Sequence, residues 1–370
     1  MKQKLPFIKP FFPSSSELAE DLERIHKNNY YTNNGPIYFE FKEAVEKYLG
    51  QGVHAVVLNN ATTALLLAIK AICEPPYSKK YIALPSFTFP AGPLAVDWCG
   101  YEPIFFDVEK SSAQPSIDSF NNLHAKYDKQ LAGILIVNNF GIGNAEITKW
   151  EELSRRYKLP LIIDSAPGFG SVYPDGTLLG AHGNCEIFSL HATKPFGIGE
   201  GGLVTTRDAD LASRIESLKN FGFDQDKLTT TQGMNGKITE FDCAIGLRIL
   251  RDFDSVLNKR RLVYRRYEEN LKNADVAFLP HAASASIQFA TIVINSYARN
   301  LVLNKLSDGG IEARTYYAPA VHKHPYFRNN LRTELLNTEE FSEQVISLPV
   351  HYDLSFDKVD EICSIIRSCL

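Results

Sequence analysis

Short apolar runs, rich in β-branched residues and bounded by turn formers, recur at positions 54–58, 81–84, 103–106, 134–137, 161–163, 186–190 and 203–205. They lack strict alternation with polar residues, as expected of strands covered on both faces. Between them, at 39–49, 62–72, 149–157 and 209–218, apolar residues return every third or fourth position, which is the spacing of a helix with one buried face. Strands alternating with helices predict an α/β fold built on a mostly parallel sheet of seven strands. From 239 to about 271 the helical spacing continues without a break, with Arg251, Lys259, Arg260, Arg261, Arg265 and Arg266 between apolar positions. This reads as a connecting helix with a solvated basic face. Beyond it, 286–293 and 313–317 read as strands and 358–367 as a closing helix, a small α+β lobe.

The length of 370 residues favours two domains over one oversized core. We expect a large domain over 1–250, including an N-terminal segment, and a second unit over 251–370, made of the connecting helix and the small lobe. Lysines and arginines (39) are scattered and slightly outnumbered by acids (43), so nothing suits a nucleic-acid backbone. The six cysteines are far apart and lack zinc-site spacing, so they read as reduced thiols. Residues 1–16 are interrupted by Pro6, Pro10 and Pro13, and no stretch approaches a membrane span. The expectation is a cytoplasmic protein without membrane or nucleic-acid partners.

Ligands of doubly wound sheets collect beyond the carboxyl ends of the strands, so chemistry is sought there. After the first strand comes Asn59-Asn60-Ala61-Thr62-Thr63-Ala64, where small and hydroxyl residues open an apolar helix. The free amides and positive end of the dipole suit a phosphate, although Thr62 and Thr63 would serve equally as a plain cap. The strand at 161–163 ends in Asp164, a carboxylate that needs a partner if buried. A further strand runs into Ser189-Leu190-His191-Ala192-Thr193-Lys194, followed by Gly197, Gly199, Glu200, Gly201 and Gly202. A lysine in a glycine-rich turn is by itself an ordinary surface group. Together, an amine able to form a Schiff base, an acid for a pyridinium nitrogen and a phosphate cradle are the requirements of pyridoxal phosphate.

These residues also carry a resemblance. Asn34-Gly35-Pro36, Pro85-Ser86-Phe87-Thr88-Phe89, Asp164-Ser165-Ala166, the serine-to-lysine segment with its Gly199-Glu200-Gly201-Gly202 tail, Gly233-Met234-Asn235 and Leu348-Pro349-Val350 run nearly end to end. The chain resembles the DegT/DnrJ/EryC1/StrS aminotransferases, fold-type I enzymes that mostly aminate keto-sugars attached to nucleotides. The resemblance implies that Lys194 holds pyridoxal phosphate as an internal aldimine and shuttles the substrate proton, and that Asp164 pairs with the ring nitrogen. It implies that Phe89 stacks on the ring and that Ala61, Thr62, Thr63 and Ser189 hold the phosphate. Asn235 would reach the phosphate of a neighbouring subunit, so a homodimer with its active sites at the interface is expected. Phe12, His191, Tyr316 and His322 are expected near the substrate, with L-glutamate as donor and a nucleotide-linked 3- or 4-keto-deoxysugar as acceptor.

Two positions depart from the family pattern. Pro167 stands where Gln or His is usual and offers the phenolic oxygen of the cofactor neither a side-chain donor nor an N–H. Ala61 replaces a usual glycine, which is harmless unless the backbone there is left-handed. A cyclitol or other natural-product ketone therefore stays open as acceptor. Related sugar dehydratases carry histidine in place of the lysine, and a cofactor-binding regulator would have no need of Lys194. His322 and His324, two apart and without a third ligand nearby, read as binding-loop or surface histidines, and no metal is expected.

Overall fold

The computed structural model describes residues 4–370. Two helices, α1 (Ser15–Asn28) and α2 (Pro36–Leu49), precede β1 (His54–Leu58) and α3 (Ala61–Ile72). The chain continues through β2 (Tyr81–Pro85), α4 (Ala91–Trp98), β3 (Glu102–Phe106), α5 (Ile117–Tyr127), β4 (Leu131–Val137), α6 (Ile147–Tyr157) and β5 (Leu161–Asp164). Then come β6 (Cys185–Ser189), β7 (Gly202–Thr206), α7 (Ala209–Leu218) and the long α8 (Glu240–Leu271). The C-terminal part holds β8 (Val276–Phe278), β9 (Phe289–Ile294), α9 (Ser296–Asp308), α10 (Leu336–Gln344), β10 (Val345–Pro349) and α11 (Phe356–Arg367).

The large sheet has the order β1-β7-β6-β5-β4-β2-β3, and only β7 runs against its neighbours. It is the mostly parallel seven-stranded sheet that the alternation predicts. The reversed β7 matters for position: its first residue, Gly202, is in register with both Leu58 and Ser189, the last residues of β1 and β6. Chain ends from β1, β5 and β6 and the start of β7 therefore share one edge. The central strands β2, β4, β5, β6 and β7 are buried throughout, since helices cover both faces. A second, three-stranded antiparallel sheet, β10-β9-β8, packs with α9, α11 and the distal half of α8 around its own core.

The segment 313–317, expected as a strand, is not one. It makes a single bridge, Arg314 to Ser347, and otherwise lies as loop over the large sheet's edge, its Tyr316 and Tyr317 occupied in aromatic contacts with Phe289 and Phe140. The helices α1, α4, α5, α9 and α10 join those that the spacing predicts. In α1 a capping box fixes the start: the Ser14 amide donates to Glu17 Oε2 at 2.8 Å and the Ser14 hydroxyl accepts from the Glu17 amide. The expected helix over 239–271 is α8, unbroken, and its Thr239 hydroxyl accepts from the Asp242 amide as the cap.

Candidate active site

A cavity of about 650 Å³ opens at the shared edge, lined by residues from Ile8 to Tyr317. Its one end is the start of α3. Asn60, in extended conformation, caps the helix by accepting from the Thr63 amide at 2.8 Å, leaving the amides of the first turn directed at the cavity. Ala61 lies inside the helix, not in left-handed backbone, so the methyl that replaces the expected glycine is accommodated without strain. Gly202 makes this arrangement possible. A Cβ there would lie 2.6 Å from the Ala61 nitrogen and still closer to the Asn60 carbonyl group, so only glycine lets β7 press flush against the helix start.

At the other end stand Asp164 and Lys194. Asp164 ends β5, is 6% exposed, and accepts the Ala166 amide at Oδ1 (2.9 Å). Among the described residues Oδ2 takes no hydrogen bond. Burial raises its pKa above the usual carboxylate value, with the Ala166 amide and the Lys194 charge pulling the other way. Lys194 is enclosed by protein while facing the cavity, and burial lowers its pKa from 10.5 to about 8, with Asp164 opposing the fall. Behind Asp164 lies a buried network in which Ser165 donates to Glu186 Oε2 (2.8 Å) and the Gly180 and His182 amides donate to Oε1. It fixes the loop that follows β5.

The remaining expected residues divide cleanly. Thr62, Thr63, Phe89, Pro167, Ser189, His191 and Tyr316 all line the cavity. Phe89 is 55% exposed at its mouth, and His191 binds Thr193 Oγ1 through Nδ1 at 2.8 Å. Three residues lie elsewhere. Asn235 is exposed and pairs with Asn220, outside the cavity of its own chain. Phe12 does not reach the cavity, where Ile8 of the same segment stands instead. His322, expected in a binding loop or on the surface, is 4% exposed: its Nδ1 contacts Ser86 Oγ at 2.7 Å and its Nε2 contacts Glu339 at 3.2 Å, beneath the loop after β2. One ring nitrogen thus meets the loop after β2 and the other meets α10, and His322 is not among the residues that line the cavity.

Arg314 and Tyr317, from the segment that the resemblance implies lies near the substrate mouth, also line the cavity, and so does Gln288, which no sequence motif marks. Gln288 touches the lysine itself: its Oε1 accepts from Lys194 Nζ at 3.3 Å and its Nε2 donates to the Thr193 carbonyl at 3.0 Å. Ninety-four positions separate the two residues, and no local motif marks Gln288.

The family model described as the DegT/DnrJ/EryC1/StrS aminotransferase family matches residues 14–367. The chain belongs to this family. Aminotransferases of the DegT/DnrJ/EryC1/StrS type use pyridoxal phosphate, and that is the cofactor of this enzyme. Protein Rv3402c of Mycobacterium tuberculosis (strain ATCC 25618 / H37Rv) is 41% identical over 98% of this chain and 90% of its own. The dTDP-4-amino-4,6-dideoxy-D-glucose transaminase of Shigella dysenteriae is 28% identical over 99% of each chain. Among solved structures, DesI in the presence of its TDP-sugar product is similar at 30% identity and a TM-score of 0.91, over 100% of this chain and 93% of that one. The residues present fit the cofactor. The open helix start and Ser189 suit its phosphate, the unshared oxygen of buried Asp164 suits a protonated ring nitrogen, and Lys194 supplies the amine. Among the described residues no helix is long and apolar enough to cross a membrane.

Proposed function

We propose that the protein moves an amino group from L-glutamate to the ketone of a nucleotide-linked 3- or 4-keto-deoxysugar. The observation that carries this is the presence, in one cavity, of Lys194, the buried carboxylate of Asp164 and the open start of helix α3. Relatives whose names specify a dTDP-sugar or a TDP-sugar product supply the substrate class. When bound, pyridoxal phosphate supplies an electron sink and carries the amino group between the two half-reactions.

Lys194 is the catalytic base: with its pKa near 8, a usable fraction of the amine is neutral near pH 7.5 and can take the donor's α-proton and return it. Asp164 keeps the proton on the ring nitrogen, and its own burial strengthens that ion pair by excluding water. The first amides of α3, with Thr62, Thr63 and Ser189, hold the phosphate, and Phe89 covers the ring. His191 and Tyr316 border the substrate. Asn235, exposed and away from its own cavity, serves the partner in a homodimer. Free cysteines throughout the described residues suit a reducing compartment, and we assign the enzyme to the cytoplasm.

The test is the visible spectrum of the purified protein with pyridoxal phosphate, before and after L-glutamate. Loss of the lysine-bound band with release of 2-oxoglutarate, and absence of that band in Lys194→Ala, are expected. No band in the wild type, or full turnover by Lys194→Ala, overturns the proposal.

A further inference from the structure

We propose that Gln288 is a positioning residue for Lys194, holding the amine at the cavity wall with a neutral acceptor. The inference rests on the function proposed above. The direction of the amide follows from its partners: the Thr193 carbonyl can only accept, so the nitrogen faces it (3.0 Å) and the oxygen faces Lys194 Nζ (3.3 Å). One side chain, 6% exposed, thus spans two successive residues of the catalytic turn. Among the described residues it makes the one hydrogen bond to this amine.

The segment carrying Gln288 is itself fastened on two sides. Arg260 of α8 is buried, without a carboxylate partner among the described residues, and donates from Nε to the Ile287 carbonyl (2.7 Å) and from Nη2 to the Gln288 and Val350 carbonyls (2.9 and 2.8 Å). From the large sheet's side, Ser171 accepts the Ser286 amide at 2.8 Å, and the Ser286 hydroxyl donates to the Pro167 carbonyl at 2.7 Å. Between these anchors Ile287 has φ +55°, a left-handed conformation that a β-branched residue resists. Strain of this kind persists where the surroundings over-determine it. Here the anchored backbone delivers Gln288 to the lysine.

Neutrality is the point of using an amide. A carboxylate at the same distance would favour the ammonium form and undo what burial achieves. The charged and titratable groups facing the cavity are Asp164 from β5, His191 and Glu200 flanking the lysine's turn, and Arg314, Tyr316 and Tyr317 from the segment over the sheet edge. Of these Asp164 is the one that acts on the amine's charge.

The experiment uses full-length protein freed of cofactor and follows, from pH 6 to 10, the rate at which Lys194 reacts with added pyridoxal phosphate. In this step neutral Nζ attacks the aldehyde carbon, a C=N bond forms and water leaves, so the rate tracks the neutral amine. The wild-type profile is expected to rise with a midpoint near 8. Gln288→Glu shifts it upward by about one pH unit or more, slowing the reaction about ten-fold at pH 7.5. Gln288→Met leaves the midpoint at or below the wild-type value and lowers the plateau rate, because the amine is no longer held. Thermal unfolding establishes that each variant is folded, and if Gln288→Glu is not, Gln288→Met decides through its plateau. Folded variants with the wild-type profile overturn the role of Gln288. A wild type that forms no band at any pH overturns instead the function on which it rests.

Discussion

Replacing Lys194 with methionine should make the cofactor-free protein more stable near neutral pH, although it removes the central catalytic group. Burial lowers the amine's pKa from 10.5 to about 8. At about 1.4 kcal/mol per pH unit, the folded protein bears a penalty of roughly 3 kcal/mol for keeping that charge. Methionine, unbranched and of similar length, fills the space without charge. Water in the cavity and the lost hydrogen bond to Gln288 reduce the net gain to about 2 kcal/mol. With an unfolding entropy of about 2.1 cal/mol/K per residue, that is a rise in Tm of about 3 °C. The folded pKa lies below the unfolded one, so the penalty is fully present below pH 8, fades between pH 8 and 10.5, and is absent above. The assay is thermal unfolding of both proteins, stripped of cofactor, across pH 6–10.5, because a ligand that binds only the folded state would mask the difference. A methionine variant no more stable at pH 7, or one whose advantage grows with alkalinity, would show that the buried amine carries no such penalty.

Gly202→Ala should push β7 away from the Asn60–Ala61 backbone, lowering stability by about 1–3 kcal/mol. Its affinity for pyridoxal phosphate, measured by fluorescence titration, falls about ten-fold or more, because the distorted element is the helix start that receives the phosphate. Arg260→Met leaves the Ile287, Gln288 and Val350 carbonyls unpaired. Each such bond to a charged donor is worth about 1.5–3 kcal/mol, while removing a buried guanidinium whose pKa is pushed down to about 10 returns part of that. A net loss of about 3 kcal/mol, read as a lower urea midpoint, is expected, and an unchanged midpoint contradicts it.

The alternation of strands and helices was legible because the sheet is buried on both faces, which turns its strands into apolar runs that no surface strand would show. The Asp164 and Lys194 positions were legible because Asp164 directly follows such a run and Lys194 lies in the glycine-rich turn just beyond another. Helix α4 was obscured by Gly92 and Pro93, which speak against a helix locally and are tolerated in its first turns. The polar α1 is held by its capping box and by Arg248 pairing with Glu20 and Asp21, contacts 227 and 228 positions away. The aromatic run around Tyr316 has strand-like composition, yet its rings are taken up by packing on Phe140 and Phe289. Gln288 was invisible for the same reason: its meaning comes from a turn on another sheet.

The cavity wall is drawn from residues as far apart as Ile8 and Tyr317, and this imposes an order in time. On a ribosome adding roughly 5–20 residues per second, the anion-binding start of α3 is made tens of seconds before the segment that roofs it. Lys194 emerges 94 residues ahead of Gln288. Through that interval the amine lacks its hydrogen-bond partner Gln288. The finished site is therefore a property of the completed chain: a product stopped short of position 288 keeps Asp164, Lys194 and the glycines, and lacks the side chain that meets the amine.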